Sequence, residues 1–129
     1  MTMNAKSKIL IVDDDPFIRQ TLKLIFEEDD NQYAVLEAEG VVEGLEKAAL
    51  ELPQLIITDV MMSRLTGYDL IVGVRSSPAL KHIPLMVYSA KEPPVEKECL
   101  ELGANVYLKK PADIHTLRAK AKAMLGHPH

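Results

Sequence analysis

Four apolar runs of this chain each end at polar side chains that could do chemistry together. Asp13 and Asp14 follow the first run, Asp59 follows the second, Ser89 ends the third, and Lys110 comes just after the fourth. If the runs are neighbouring parallel strands, their carboxyl ends meet at one edge of the sheet, where open α/β sheets bind ligands. Three carboxylates at one point repel each other unless a divalent cation lies among them. The pattern therefore predicts a magnesium-dependent site that handles a phosphoryl group.

Each residue type in this set suits a step of phosphoryl chemistry. A carboxylate can attack phosphorus and form an acyl phosphate, and Asp59 is the best candidate because its strand should be central. Asp13 and Asp14 are predicted to help hold Mg²⁺, a hard cation that prefers oxygen ligands. Lys110 would bring positive charge to the phosphoryl group, and Ser89 would donate a hydrogen bond to it. Any one of these residues alone has an ordinary structural explanation. The prediction depends on their occurring together, in this order, each at the end of a strand.

The apolar periodicity predicts the elements that must position these residues. Strands are predicted over 9–12, 33–38, 55–58, 85–88 and 106–108, each followed by apolar residues at helical spacing. Asp15 is a predicted N-cap with Pro16 as the first helical residue, and Gly44 weakens the second helix. Five βα units with short connections predict an α/β fold: a single-domain, doubly wound (βα)5 arrangement with a five-stranded parallel sheet.

Length and composition restrict the class of protein. The 129 residues suffice for one domain, and the net charge of −4 argues against a direct nucleic-acid partner. No apolar stretch is long enough to span a membrane. The single cysteine, Cys99, excludes an internal disulfide, fits a reducing cytoplasm, and lies where a core residue is expected rather than a nucleophile. A cytoplasmic protein is predicted, with a disordered tail over 1–7, a folded domain over 8–125 and a tail over 126–129.

Taken together, these motifs resemble the receiver domain of bacterial two-component response regulators over about residues 6 to 125. The matching segments are 8–16 followed by Arg19, Asp59 with Gly67, Ser89-Ala90, Gly103-Ala104, Tyr107, and Lys110-Pro111. Three positions depart from the usual pattern of that family: Gly44, Ser63 and Ala112. The departures leave the chemistry intact and affect loop stiffness and the output surface.

The resemblance implies a flavodoxin-like fold with strand order 2-1-3-4-5, and a phosphorylation switch rather than an enzyme. Asp59 would be the phosphoacceptor, assisted by Lys110 and Ser89. Asp14 and Asp59 would ligate Mg²⁺ directly with the backbone carbonyl of Met61, while Asp13 would act mostly through water.

The resemblance also implies a switch and its partners. Ser89 would move toward the phosphoryl group, and Tyr107 would rotate inward as Ser89 vacates space. A sensor histidine kinase or a histidine phosphotransfer protein would supply the phosphoryl group. An unknown downstream protein would bind the face formed by the fourth helix, fifth strand and fifth helix, with no direct nucleic-acid or membrane partner.

Two other classes of protein compete with this interpretation. A magnesium-dependent phosphatase of similar layered architecture usually has an acid-base Asp two residues after its nucleophile, where this chain has Met61. A purely structural interaction domain would not need the intact Asp13, Asp14, Asp59 and Lys110. Two alternatives stay open: the chain is a domain of a larger kinase or regulator, or it is an intermediate in a phosphorelay.

Overall fold

Strands and helices alternate five times along the chain in the computed structural model, which describes residues 6–28, 32–62, 64–92 and 94–126. In chain order the elements are β1 Ser7–Val12, α1 Pro16–Glu27, β2 Tyr33–Ala38, α2 Val41–Glu51, β3 Leu55–Thr58, α3 Gly67–Ser76, β4 Leu85–Ser89, α4 Val95–Leu102, β5 Val106–Lys109 and α5 Ile114–Met124. All five predicted strands and all five predicted helices are confirmed. The departure at Ser63 lies outside the described residues.

The five strands form one parallel sheet in the order β2-β1-β3-β4-β5, which confirms the predicted fold class and strand order. Consecutive strand residues point to opposite faces. Leu10 and Ile56 pack with α2, α3 and α4 on one face, and Ile9 and Ile57 pack with α1 and α5 on the other. Burial on both faces explains why these strands read as continuous apolar runs.

Capping residues fix where the helices begin. Asp15 accepts a hydrogen bond from the Phe17 N–H at 2.9 Å, with Pro16 as the first residue of α1, as predicted. Asp113 does the same for α5 by accepting from the Thr116 N–H at 3.1 Å. β1 begins at Ser7, one residue inside the predicted tail, and residues 1–5 and 127–129 lie outside the described residues. No helix within the described ranges is both long and apolar enough to cross a membrane.

Gly44 has a packing role that its low helix propensity conceals. A Cβ atom at this position would lie 3.0 Å from one γ-carbon of Val12 and 3.2 Å from the other. The missing side chain lets α2 approach the end of β1, directly before Asp13. The propensity lost in the helix is thus offset by close packing against the strand that leads into the site.

Cys99 is fully buried in α4 and belongs to the hydrophobic core. Burial, together with the nearby charge of Glu98, raises the pKa of its thiol to about 11. The reactive thiolate is therefore scarce at neutral pH. The prediction of a core cysteine rather than a nucleophile is confirmed.

Candidate functional site

The predicted site residues meet at the carboxyl edge of the sheet. Val12 pairs with Thr58 in register, so Asp13 and Asp59 leave neighbouring strands at the same level. The Asp59 N–H donates to the Val12 carbonyl at 3.1 Å and continues the ladder one step past the strands. On the other side, Lys110 follows β5 and donates its backbone N–H to the Ser89 carbonyl at 2.8 Å.

The Lys110 ammonium joins two of these carboxylates. Its Nζ lies 3.0 Å from Asp13 Oδ2 and 3.1 Å from Asp59 Oδ2. The side chains of Lys110, Asp13 and Asp59 are only 15%, 5% and 12% exposed, so solvent screens these contacts much less than surface ion pairs. Two strands and the loop after β5 thus bring two anions and one cation into one sheltered cluster.

Burial and neighbouring charges raise the pKa of both Asp13 and Lys110, for different reasons. Burial raises the pKa of Asp13, and hydrogen bonds from the Asp15 N–H and from Lys110 offset only part of the effect. Burial alone would lower the pKa of Lys110, but its hydrogen bond to Asp13 and the charges of Asp13 and Asp59 outweigh burial and raise it. The lysine therefore stays cationic at neutral pH, and ionised Asp13 costs free energy in the folded state.

Replacement of Asp13 by asparagine is expected to stabilise the apo fold at neutral pH. The pKa of Asp13 is higher in the folded than in the unfolded chain, so its cost is present above the folded pKa and disappears below the unfolded pKa. In chelator-treated protein, Asp13→Asn should raise the melting temperature at pH 7, and the difference should vanish as the pH falls through the acidic range. The control is Asp15→Asn, because Asp15 is exposed and asparagine can still cap α1. Equal melting temperatures at pH 7 would contradict the sign.

The backbone around Asp59 is fixed by its own carboxylate and by α3. Oδ1 of Asp59 accepts from the Val60 N–H at 2.6 Å and more weakly from the Met61 N–H at 3.4 Å. Gly67, the first residue of α3, donates its N–H to the Val60 carbonyl at 2.8 Å. A Cβ on Gly67 would clash with the Asp59 carbonyl oxygen and lie 2.8 Å from the Val60 Cα. A glycine is required here because the helix begins against the backbone that carries Asp59.

Ser89 and Tyr107 both bind the loop that follows β4. Ser89 is fully buried, and its Oγ accepts from the Lys91 N–H at 3.3 Å. The Tyr107 hydroxyl donates to the Lys91 carbonyl at 2.7 Å. Burial raises the pKa of Tyr107, which keeps its hydroxyl protonated and able to donate. The two predicted switch residues therefore both bind the backbone of Lys91, Ser89 at its N–H and Tyr107 at its carbonyl.

Two residues near the site were not assigned a role from the sequence. Arg19 is buried and donates to the Asp13 carbonyl at 2.6 Å and to Glu37 Oε1 at 3.1 Å, tying the end of β1 to β2. The Lys110 ammonium lies 5.5 Å from the ring centroid of Tyr88, whose hydroxyl accepts from the Ala112 N–H at 3.2 Å. Arg19 was visible only as a motif match, and Tyr88 only as an aromatic residue beside Ser89.

The donor atoms at this edge suit a hard cation such as Mg²⁺. Asp13 and Asp59 present carboxylate oxygens at one point, and Asp14 is exposed beside Asp13. The free energy that ionised Asp13 costs is the kind of cost that a cation relieves. Among the described residues, however, no three Asp, Glu, His or Cys side chains are grouped tightly enough to count as a metal site. The ligand set of Asp13, Asp14, Asp59 and the Met61 carbonyl thus stays a prediction.

The chain matches the sequence profile of a known protein family over most of its length. The profile of the response regulator receiver domain matches residues 9–122. The chain belongs to the response regulator receiver domain family. The predicted resemblance is thereby confirmed, and the receiver domain is a module of two-component signalling rather than a typical enzyme, which favours a switch over the phosphatase alternative.

Known relatives of this receiver domain are bacterial signalling proteins. It is 34% identical over 126 residues to histidine kinase P4 of Formosa agariphila, which covers 97% of this chain and 9% of that protein. It is 36% identical over 121 residues to the response regulator MprA of Mycobacterium ulcerans, which covers 92% of this chain and 50% of that protein. The chain thus spans half or less of the length of these relatives.

Solved structures share the architecture of this receiver domain. The chemotaxis protein CheY4 of Vibrio cholerae superposes with a TM-score of 0.85 at 31% identity, covering 93% of this chain and 99% of that one. The receiver domain of a sensor histidine kinase from Pseudomonas aeruginosa, described with a magnesium ion coordinated in its active-site cleft, has a TM-score of 0.85 at 23% identity over 95% of this chain and 99% of that one. The second likeness shows the fold alone.

Proposed function

We propose that this receiver domain accepts a phosphoryl group on Asp59 from a sensor histidine kinase or a histidine phosphotransfer protein, with the help of Mg²⁺. The observation that carries the proposal is the sheltered contact of Lys110 with both Asp13 and Asp59. A carboxylate held at the end of a central strand, beside a fixed cation, is suited to attack phosphorus. The cytoplasm is the proposed compartment, since the single cysteine fits a reducing environment.

The transfer needs a nucleophile and a source of positive charge. An oxygen of Asp59 forms a bond to phosphorus while the bond from phosphorus to the donor's imidazole nitrogen breaks, and the imidazole leaves with a proton. The ammonium of Lys110 is already aimed at Asp59 and stabilises negative charge on the phosphoryl oxygens. Ser89 adds a hydrogen bond from the neighbouring strand. The Val60 N–H holds the other carboxylate oxygen of Asp59 and fixes its orientation.

Mg²⁺ is the proposed cofactor, held by Asp13, Asp14, Asp59 and the backbone carbonyl of Met61. When bound, it would neutralise charge on both the carboxylates and the incoming phosphoryl oxygens. Support comes from the all-oxygen donor set and from the raised pKa of Asp13.

The central test is labelling of the purified receiver domain with acetyl phosphate. Intact-mass measurement should show one added phosphoryl group in the presence of Mg²⁺ and none after chelation. Asp59→Asn should abolish the labelling because an amide cannot act as the nucleophile. Asp15→Asn, at a nearby carboxylate that only caps α1, should label like the wild type. Equal labelling of the Asp59→Asn variant would refute the assignment.

Phosphorylation is proposed to alter the surface formed by α4, β5 and α5, where a downstream protein would bind. Ser89 and Tyr107 both contact the loop after β4 through their hydrogen bonds at Lys91. If Ser89 turns toward a phosphoryl group on Asp59, its contact with the Lys91 N–H is lost. Tyr107 can then rotate further inward, and the start of α4 shifts with the loop.

Replacement of Ser89 by alanine should separate chemistry from switching. Asp59 should still be labelled, but the change in hydrogen exchange across residues 90–110 should shrink, because alanine cannot bind the phosphoryl group. The measurement compares exchange with and without beryllofluoride, a mimic of the phosphoryl group. Ser77→Ala, at the end of α3 and away from the site, is the matched control. An unaltered exchange response in Ser89→Ala would rule out the switch role.

A further inference from the structure

Tyr88 contacts the segment 110–112 at two points, although it lies one strand away from it. Its ring centroid is 5.5 Å from the Lys110 ammonium, within the range of a cation–π interaction. Its hydroxyl accepts from the Ala112 N–H at 3.2 Å. The two contacts lie on either side of Pro111, so one side chain of β4 fixes both ends of this short segment.

The ring has little freedom to move. Tyr88 is 8% exposed and packs in the core on the face of the sheet that is covered by α1 and α5. Ser89, the next residue, points to the opposite face, so β4 places a hydroxyl on one side of the site and an aromatic ring on the other. The Ser89 hydroxyl and the Tyr88 ring therefore act on opposite sides of the sheet.

Lys110, by contrast, has a flexible stem that must be held for its ammonium to stay between two anions. Asp13 Oδ2 and Asp59 Oδ2 both attract the ammonium, at 3.0 Å and 3.1 Å. Asp13 is the more buried of the two, with 5% of its side chain exposed against 12% for Asp59. A lysine without a third contact can rest against Asp13 and leave Asp59 unassisted.

We propose that Tyr88 is a positioning residue that keeps the Lys110 ammonium beside Asp59. The negative face of the ring attracts the cation, and burial of the ring in the core keeps that face beside the ammonium. This inference rests on the proposed function, because it assigns Tyr88 a part in the same phosphoryl transfer.

The test is the rate of Asp59 labelling by acetyl phosphate at saturating Mg²⁺ for four variants and the wild type. Tyr88→Leu and Tyr88→Met remove the ring with different side-chain shapes, and Tyr88→Phe keeps it. Tyr33→Leu removes another buried ring in the same core, far from Lys110 along the sheet. Leucine and methionine should lower the rate roughly three- to twentyfold, as expected for a lost cation–π contact in a sheltered site.

Two further readouts separate positioning from a general structural effect. Tyr88→Phe should label within about twofold of the wild type, since the ring is retained. The Mg²⁺ concentration for half-maximal rate should stay unchanged in all Tyr88 variants, while Tyr33→Leu should lower the melting temperature but not the rate. Wild-type rates in both Tyr88→Leu and Tyr88→Met, or an equal loss in Tyr88→Phe, would overturn the inference.

A spectroscopic measurement distinguishes failure of this inference from failure of the proposed function. The ring should shift the NMR resonances of the Lys110 ε-methylene group, and this shift should persist in Tyr88→Phe and disappear in Tyr88→Leu. If the wild type is not labelled at all, the proposed function fails, whereas the ring contact is still tested by NMR. If the resonances do not change in Tyr88→Leu, the positioning contact is absent and the inference fails.

Discussion

Lys110→Met is expected to lower the rate of phosphoryl transfer to Asp59 by about 100-fold or more, the effect of removing one positioned charge-stabilising group from a sheltered site. Methionine has a similar length but no charge, so Asp59 keeps its place while the phosphoryl oxygens lose the ammonium 3.1 Å away from the nucleophile. The initial rate of labelling by acetyl phosphate at fixed Mg²⁺ measures the loss.

Lys109→Met is the matched control, because the adjacent Lys109 is half exposed and pairs with Glu92 instead of the site carboxylates. It should label at nearly the wild-type rate. A melting curve should show that Lys110→Met still folds. If Lys110→Met is labelled as fast as Lys109→Met, the cation of the site does not act on the phosphoryl group.

The second large effect is expected in Mg²⁺ binding. Asp14→Ala should weaken Mg²⁺ at least about tenfold, since loss of even a supporting group at a metal site has effects of this size. Lys110 already binds one oxygen each of Asp13 and Asp59, so we expect the exposed carboxylate of Asp14 to supply a further oxygen to a cation at this edge.

Asp15→Ala is the control for that titration. Asp15 caps α1 through the Phe17 N–H, and its loss should cost about 1 kcal/mol of folding stability but leave the Mg²⁺ affinity nearly unchanged. A direct titration of Mg²⁺ into both variants, in the absence of a phosphoryl donor, gives the comparison. A weaker affinity for Asp15→Ala than for Asp14→Ala would mean that the acidic pair is wrongly assigned.

The position of Asp13, Asp59 and Lys110 at one edge could be predicted because it depends on topology alone. Parallel strands share the direction of their carboxyl ends, so any polar residue just after such strands lies at that edge. The N-cap at Asp15 was equally predictable, since the residue type and the following proline act within one turn. These features need only local sequence and strand order.

Contacts between distant segments could not be predicted in the same way. Arg19 binds Glu37 and the Asp13 carbonyl, and Tyr88 binds the Ala112 N–H and lies over Lys110, because of how loops and helices pack in space. The packing role of Gly44 could not be predicted from the sequence either. Its low helix propensity is visible in the sequence, whereas the close approach to Val12 that requires it is not.

The site of phosphorylation itself gives the most direct test of the proposed function. After labelling with acetyl phosphate and Mg²⁺, hydride from borohydride reduces an acyl phosphate to an alcohol and releases phosphate, which converts a phosphorylated aspartate to homoserine. Peptide mapping should find homoserine at position 59 and aspartate at positions 13 and 14. Homoserine at position 13 or 14, or labelling that borohydride does not convert, would contradict Asp59 as the phosphoacceptor.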